Sequence, residues 1–356
     1  MSHFLPRMLL LALVATCSSA VAADELQWIS PDGQGQENLL TSYGKPAETT
    51  TACPACEQNM CDNCGCGCGA DCDGCPRFGL VGFAGVDNFR GVSDGTWNDN
   101  FGVVTGLNAG IPIYDTGLAW QMGLSYGVYD FDGRMSSALE RSACQTQTFV
   151  TTGFYHKANN GRRLSFGLVY DWMLNDNWGV AAIDPTLGQW RGQIEFALNQ
   201  CNSVGIYATK SDKSSSNWGR MTGDLLPRRF STRSVDQASV FFHHKFEQGA
   251  DGKLWVGLPE QDRLTDEGSL GEWLAGAQIE VPLGQRFALY AGAQYMKPSA
   301  SPGNGGSYQD STDVFVGLSY YPGRNARTTA LNGSCSTPYM PVANNSTFLV
   351  DQTPTN

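Results

Sequence analysis

Charge is scarce in this sequence, and its placement is more telling than its amount. Charged residues make up 16% of the chain, whereas ordinary soluble surfaces carry about 25–35%. The 23 basic residues are outnumbered by 34 acidic ones, for a net charge of −11. That balance excludes nucleic acid as a partner, because phosphate binding needs basic patches. Past the N-terminus no apolar run approaches the roughly 20 residues of a transmembrane helix, so any membrane role falls to strands. Histidine is also rare. Beyond the first residues there are His156, His243 and His244, and none has a Ser two residues on or a His-Glu-x-x-His spacing, so neither a lipase-like site nor a zinc hydrolase site is spelled out.

What is present is alternation. Leu118, Trp120, Met122, Leu124, Tyr126 and Val128 alternate with Ala119, Gln121, Gly123, Ser125 and Gly127. Residues 101–111, 164–172, 190–198, 273–281 and 287–295 repeat the pattern, and no Lys, Arg, Asp or Glu sits on any of these apolar faces. A period of two is the strand period. An uncharged apolar face opposite rows of Gly, Ser, Asn and Gln is what a lipid-facing strand requires, since a charge at the bilayer midplane costs about 2–4 kcal/mol. A soluble all-β domain with the apolar faces turned inward is the competing reading.

Twelve strands are predicted, at 78–90, 101–113, 117–129, 145–157, 162–172, 189–198, 203–210, 235–246, 253–258, 270–281, 286–296 and 312–321. Short turns rich in Gly, Asn, Asp and Pro, at 114–117, 159–161, 199–202, 249–252 and 282–285, alternate with longer polar loops. That regularity predicts an all-β, antiparallel up-and-down transmembrane β-barrel with short periplasmic turns and long outer loops. Arg7 followed by the run Met8–Ala15, with small residues at 20–23, predicts a signal peptide over 1–23, cleaved at Ala22 or Ala23. Residues 24–77, which are polar and Cys-rich, and the Asn/Thr/Pro-rich tail 323–356 are then expected as disordered periplasmic extensions of the barrel at 78–322.

Cys53, Cys56, Cys61, Cys64, Cys66, Cys68, Cys72 and Cys75 place eight thiols within 23 residues. In an oxidising compartment they predict local disulfides, with thiolate metal binding as the alternative. Cys201 on a turn and Cys335 in the tail fall on the same side and could pair. Cys144 stands at the other end of a strand, roughly 30 Å away at ~3.3 Å per residue, too far for a bridge to Cys201.

Catalytic signals are poor. Gly123-Leu-Ser-Tyr-Gly127 has the nucleophile-elbow spelling, but it lies mid-strand where that elbow needs a strand-to-helix turn, so Ser125 reads as a lumen-facing small residue. Asp130-Phe-Asp-Gly133 lacks the Glu of a calcium loop and reads as a turn. Arg191, Glu195, Glu272, Glu280 and Asp313 are expected to face the lumen, where they would solvate a water-filled interior or tune ion selectivity. The cluster Pro227-Arg-Arg-Phe230 with Arg233 falls in a long outer loop, where it reads as a solvated loop or as a hold for anionic headgroups or sugars.

The signal region, the Cys/Gly-rich stretch and the run Gly123-Leu-Ser-Tyr-Gly-Val-Tyr-Asp-Phe-Asp-Gly133 resemble an uncharacterised family of secreted, outer-membrane proteins of planctomycete bacteria. More generally the chain is similar to bacterial outer-membrane β-barrel proteins. The resemblance implies a barrel and its location, and no activity. It also implies outer-membrane lipid and the barrel assembly machinery as partners, although 35 residues follow Tyr321, where such barrels usually end on an aromatic strand. The expectation is a non-enzymatic, cofactor-free small-solute pore or structural envelope component. An outer-membrane enzyme acting on lipid and a soluble secreted all-β binding protein are the alternatives.

Overall fold

A computed structural model describes residues 78–91, 100–113, 116–136, 141–158, 163–199, 201–220, 226–246, 249–259, 271–298, 311–322, 326 and 337–355. The signal segment, the eight-cysteine stretch and Cys335 lie outside them.

Fifteen strands follow one another: β1 (Gly79–Arg90), β2 (Asn100–Ile113), β3 (Leu118–Ser136), β4 (Arg141–His156), β5 (Leu164–Asp176), β6 (Thr186–Ala197), β7 (Asn202–Lys213), β8 (Ser215–Gly219), β9 (Arg228–Ser234), β10 (Gln237–Lys245), β11 (Asp251–Pro259), β12 (Gly271–Pro282), β13 (Phe287–Pro298), β14 (Ser311–Tyr320) and β15 (Val350–Thr355). Twelve of them close an antiparallel barrel. Each pairs with the next barrel strand in the chain, β7 pairs with β10, and β1 meets β14 to complete the ring. All twelve coincide with the twelve segments expected from alternation.

The faces are sorted as the sequence required. Leu107, Leu124, Phe154, Leu168, Ile194, Phe196, Ile206, Val240, Leu254 and Leu318 are exposed on the outside, while Gln121, Thr151, Asp171, Gln189 and Arg191 are fully buried inside. This inverts the usual order of a water-soluble barrel, whose large apolar side chains fill the interior. Several inward aromatics lie against the wall over a glycine of the adjacent strand. A Cβ at Gly276 would strike Trp255, one at Gly292 would strike Phe315, and one at Gly106 would strike Phe83. Ring and missing side chain fit together, which keeps the rings flat on the wall.

The short turns gather at one rim and the long connections at the other. The Asp130–Gly133 segment forms no turn. It continues inside β3, with Asp130 at a φ of 56° and a register irregularity between Tyr129 and Arg134, so strand pairing runs on to Ser136 and Arg141. Between β7 and β10 the expected open loop instead contains β8 and β9, and these form a three-stranded sheet with β15.

The largest departure is the tail. Residues 323–356 read as a disordered periplasmic extension, yet 337–349 run up through the lumen from the turn rim. β15 then pairs with β9 at the loop rim, from Val350 opposite Ser234 to Thr355 opposite Arg229. A polar composition argues against burial in an apolar core, but this lumen is itself polar and supplies partners that water would otherwise provide. Near the loop rim the tail's Val342, Ala343 and Phe348 join Phe149, Met173, Trp178, Ile183, Leu187 and Phe230 in an apolar cluster.

Candidate functional site

The lumen is the candidate site, and its polar rows are bonded to the tail at several heights. Alternation aims every second side chain of a strand inward, so polar residues on the inner rows of β2–β6 converge on the segment threading between them. Lowest, Tyr339 donates from its hydroxyl to Glu195 Oε2 at 2.8 Å and accepts from Gln193 Nε2 at 2.7 Å. Above it, Gln121 brackets Met340: its Nε2 donates to the carbonyl at 3.0 Å and its Oε1 accepts from the amide at 3.1 Å. Asn108 Nδ2 adds a bond to the same carbonyl at 3.0 Å.

At mid-height Arg191 forms a two-point pair with Asp171, Nε to Oδ2 at 2.8 Å and Nη2 to Oδ1 at 3.0 Å, and both side chains are 0% exposed. The same Nη2 donates to the Pro341 carbonyl at 2.8 Å. Thr151 donates to Asp171 Oδ1 at 2.7 Å and accepts from the Ala343 amide at 3.0 Å. Higher still, Asn345 Nδ2 reaches Asp87 Oδ2, the Tyr129 hydroxyl and Gln147 Oε1. Ser346 bonds Asp313 through its hydroxyl and accepts from Gln294 through its carbonyl. The Thr347 carbonyl accepts from Gln189 at 2.9 Å. A segment bonded at this density from several strands is held in the lumen as firmly as a strand in a sheet.

Of the five charges expected in the lumen, Arg191, Glu195 and Asp313 are buried there, and Glu280 accepts a hydrogen bond from Tyr321 at the turn rim. Glu272 is not there. A register shift between Gly271 and Trp273 turns it out to the exposed loop rim, where it pairs with Lys297, because a bulge breaks the in–out alternation that placed it inside.

Near the turn rim Glu195 also accepts from Ser203, and His243 stands between Glu195 Oε1 at 2.6 Å and Asp251 Oδ1 at 2.5 Å. With both ring nitrogens against carboxylates, His243 has none left to activate a hydroxyl. Ser125 is a buried inward residue of β3, as its mid-strand position implied. Cys201, between β6 and β7, is disulfide-bonded, with its partner outside the described residues. Arg229 and Arg233 lie on β9, where Arg229 bonds Ser216 and Arg233 approaches Asp351 at 3.8 Å.

Asp171, Asn345, Ser346 and Tyr339 belong to no motif in the sequence. The tail's own signal was Tyr339, Met340, Val342, Phe348 and Leu349, an apolar content at odds with a solvated extension. Between the tail and the barrel wall remains a cavity of about 290 Å³, lined by residues of β1–β4, β6 and β10–β14.

Among solved structures the chain is similar to one from work on the in-meso crystallization of membrane proteins, at 10% identity and a TM-score of 0.45, covering 78% of this chain and 100% of that one. It is also similar to the Pseudomonas putida toluene transporter TodX, at 10% identity and a TM-score of 0.37, covering 68% and 88%. The Salmonella typhi outer membrane phospholipase is similar at 10% identity and a TM-score of 0.37, covering 67% and 90%. No curated protein matches the chain. From just before β1 to the first residue of β15, residues 77–350 match the model of a family of unknown function, DUF6666, and the chain belongs to that family.

Proposed function

We propose that this protein is an outer-membrane β-barrel that serves as a small-solute pore whose lumen is held closed by its own C-terminal segment. The observation that carries the reading is the pairing of a polar, hydrogen-bonding lumen with an apolar, uncharged outer belt. The belt suits lipid, and the lumen suits water and solutes. The threaded tail makes the closed form the resting one. A purely structural envelope role is the second reading, favoured by the number of bonds that hold the tail. Outer-membrane lipid and the assembly machinery are the partners this reading requires.

The membrane part is tested on the outer face. Leu124→Arg should block assembly, since a midplane charge costs about 2–4 kcal/mol, and loss of heat-modifiable migration on gels would report it. Gly123→Ser is inward and polar, yet it is expected to loosen the tail, because a Cβ there meets Val342 Cγ2 at 2.5 Å. Its barrel should still migrate as folded. Equal tolerance of Leu124→Arg and the wild-type residue would remove the lipid-facing assignment.

A further inference from the structure

One side of the lumen is sealed by the tail and the other is not. Gln121, Thr151 and Arg191, on β3, β4 and β6, lie under the tail and are 0% exposed. Across from them Phe83 of β1, Gln278 of β12, Tyr290 of β13 and Phe315 of β14 also point inward. They stay half-buried, because they line the cavity beside the tail.

The three rings form one curved wall. Phe315 lies over Gly292 and Tyr290 over Gly317, so each ring rests against the barrel and turns its free side to the cavity. Tyr290 meets Phe83 edge-on at 6.1 Å between centroids and Phe315 at 5.5 Å. Gln278 stands opposite Gly292, beside the Phe315 ring that covers it, and Ser319 stands opposite Phe83. All five residues therefore share one patch on four adjacent strands.

The polar groups of this patch are neutral, and each can both donate and accept: the Gln278 amide, the Tyr290 hydroxyl and the Ser319 hydroxyl. Among the described residues none of the three has a hydrogen-bond partner in the protein. The charged groups around the cavity, by contrast, are engaged within the protein. Asp87 and Asp313 hydrogen-bond each other and share a proton. His243 lies between Glu195 and Asp251, Glu280 accepts from Tyr321, Lys253 donates to Gln193, and Lys157 stands over the Tyr155 ring. Such surroundings suit an uncharged solute with hydroxyls on its edge and an apolar face.

We propose that this patch binds a single sugar ring, with its apolar face on the Phe83–Tyr290–Phe315 wall and its hydroxyls on Gln278, Ser319 and the Tyr290 hydroxyl. Aromatic faces carry partial negative charge, which suits the C–H groups on the face of a pyranose. An aromatic hydrocarbon would pack on the same rings, but it would displace water from the three polar groups without replacing its hydrogen bonds. An open-chain polyol would replace those bonds and has no rigid face to lay on the rings. The space of about 290 Å³ is at the small end of ligand pockets, about 300–1,000 Å³, and takes one ring rather than a chain. The inference names the solute class for the lumen and so rests on the pore reading for its purpose, but its test needs no conduction.

The test titrates the purified full-length barrel, in a detergent without a sugar headgroup, with glucose, sorbitol and phenol, read by saturation-transfer NMR on the ligand. Saturable binding of glucose is expected, with sorbitol and phenol each at least about fivefold weaker. Gln278→Leu should weaken glucose about fivefold by removing a hydrogen-bonding group, and Tyr290→Leu about threefold by removing a ring. Glu272→Gln at the exposed rim should bind as the wild type does. Folding of each variant is checked by heat-modifiable migration, and Tyr290→Leu keeps the test alive if Gln278→Leu does not assemble. Absence of saturable glucose binding, equal binding of sorbitol or phenol, or unchanged glucose affinity in the folded variants would each overturn the proposal. Conduction is measured separately: a silent bilayer would remove the pore reading and leave the binding result standing.

Discussion

Ending the chain at residue 336 opens the lumen: in planar bilayers the shortened barrel is expected to pass discrete current steps at least about tenfold larger than any from the full chain. The full chain has side chains of Asn108, Gln121, Thr151, Arg191, Gln193 and Glu195 bonded to residues 339–343. Without the tail those groups face the interior and are solvated by water, which a polar lumen tolerates. The ring should survive, because its strands pair with one another and not with the tail, and β15 pairs with β9 outside the ring. Some stability is lost with Val342, Ala343 and Phe348, which leave the apolar cluster at the loop rim. A truncated barrel that migrates as folded but stays as silent as the full chain would favour the structural role.

The second large effect is expected at the centre of the lumen. Arg191→Leu leaves Asp171 buried without its counter-charge, and breaking a buried pair from one side costs about 3–5 kcal/mol. The Pro341 carbonyl loses its donor in the same change. The temperature at which the folded gel species converts to the unfolded one should drop sharply, and protease should cut within 337–349. Replacing both partners, as Arg191→Met with Asp171→Leu, should recover most of the thermal loss, because well-packed apolar groups can stand in for a buried ion pair. The tail should stay loosened in the double variant, since the missing carbonyl donor is not restored. If the single variant melts as the wild type does, the pair does not hold the lumen together.

The barrel was legible because its signal is local and repeated. Even the two shortest expected segments, 203–210 and 253–258, are strands β7 and β11, since a period of two survives in a short stretch. Asp171 stood in plain view on the polar row of 164–172. Its partner was legible too, for Arg191 lies on the next strand, opposite Val169, one inward place away along the ladder. What the sequence hid was long-range. Nothing in Thr337–Thr347 repeats, so beyond the apolar content of Tyr339, Met340 and Val342 its place in the lumen is set by contacts with strands more than a hundred residues away. The placement of Glu272 failed for the opposite reason: a one-residue irregularity at Gly271 reversed its face while leaving the composition untouched. Likewise β8 and β9 lie in a segment whose Ser, Asn and Arg content resembles a loop, and they form a sheet in which β9 pairs with β8 on one side and with the distant β15 on the other.

The threaded tail also orders events in time. The strand that shuts the ring, β14, is made before the residues that fill it, so the hoop is complete in sequence before its filling exists. Either the hoop shuts around the thread or the thread is fed into a shut hoop. In both cases whatever is carried behind Thr355 has to finish at the loop rim, beside β9. A short, unstructured cargo can make that passage. A cargo that has already folded into a domain is wider than the lumen, and it would strand the thread halfway with the hoop ajar.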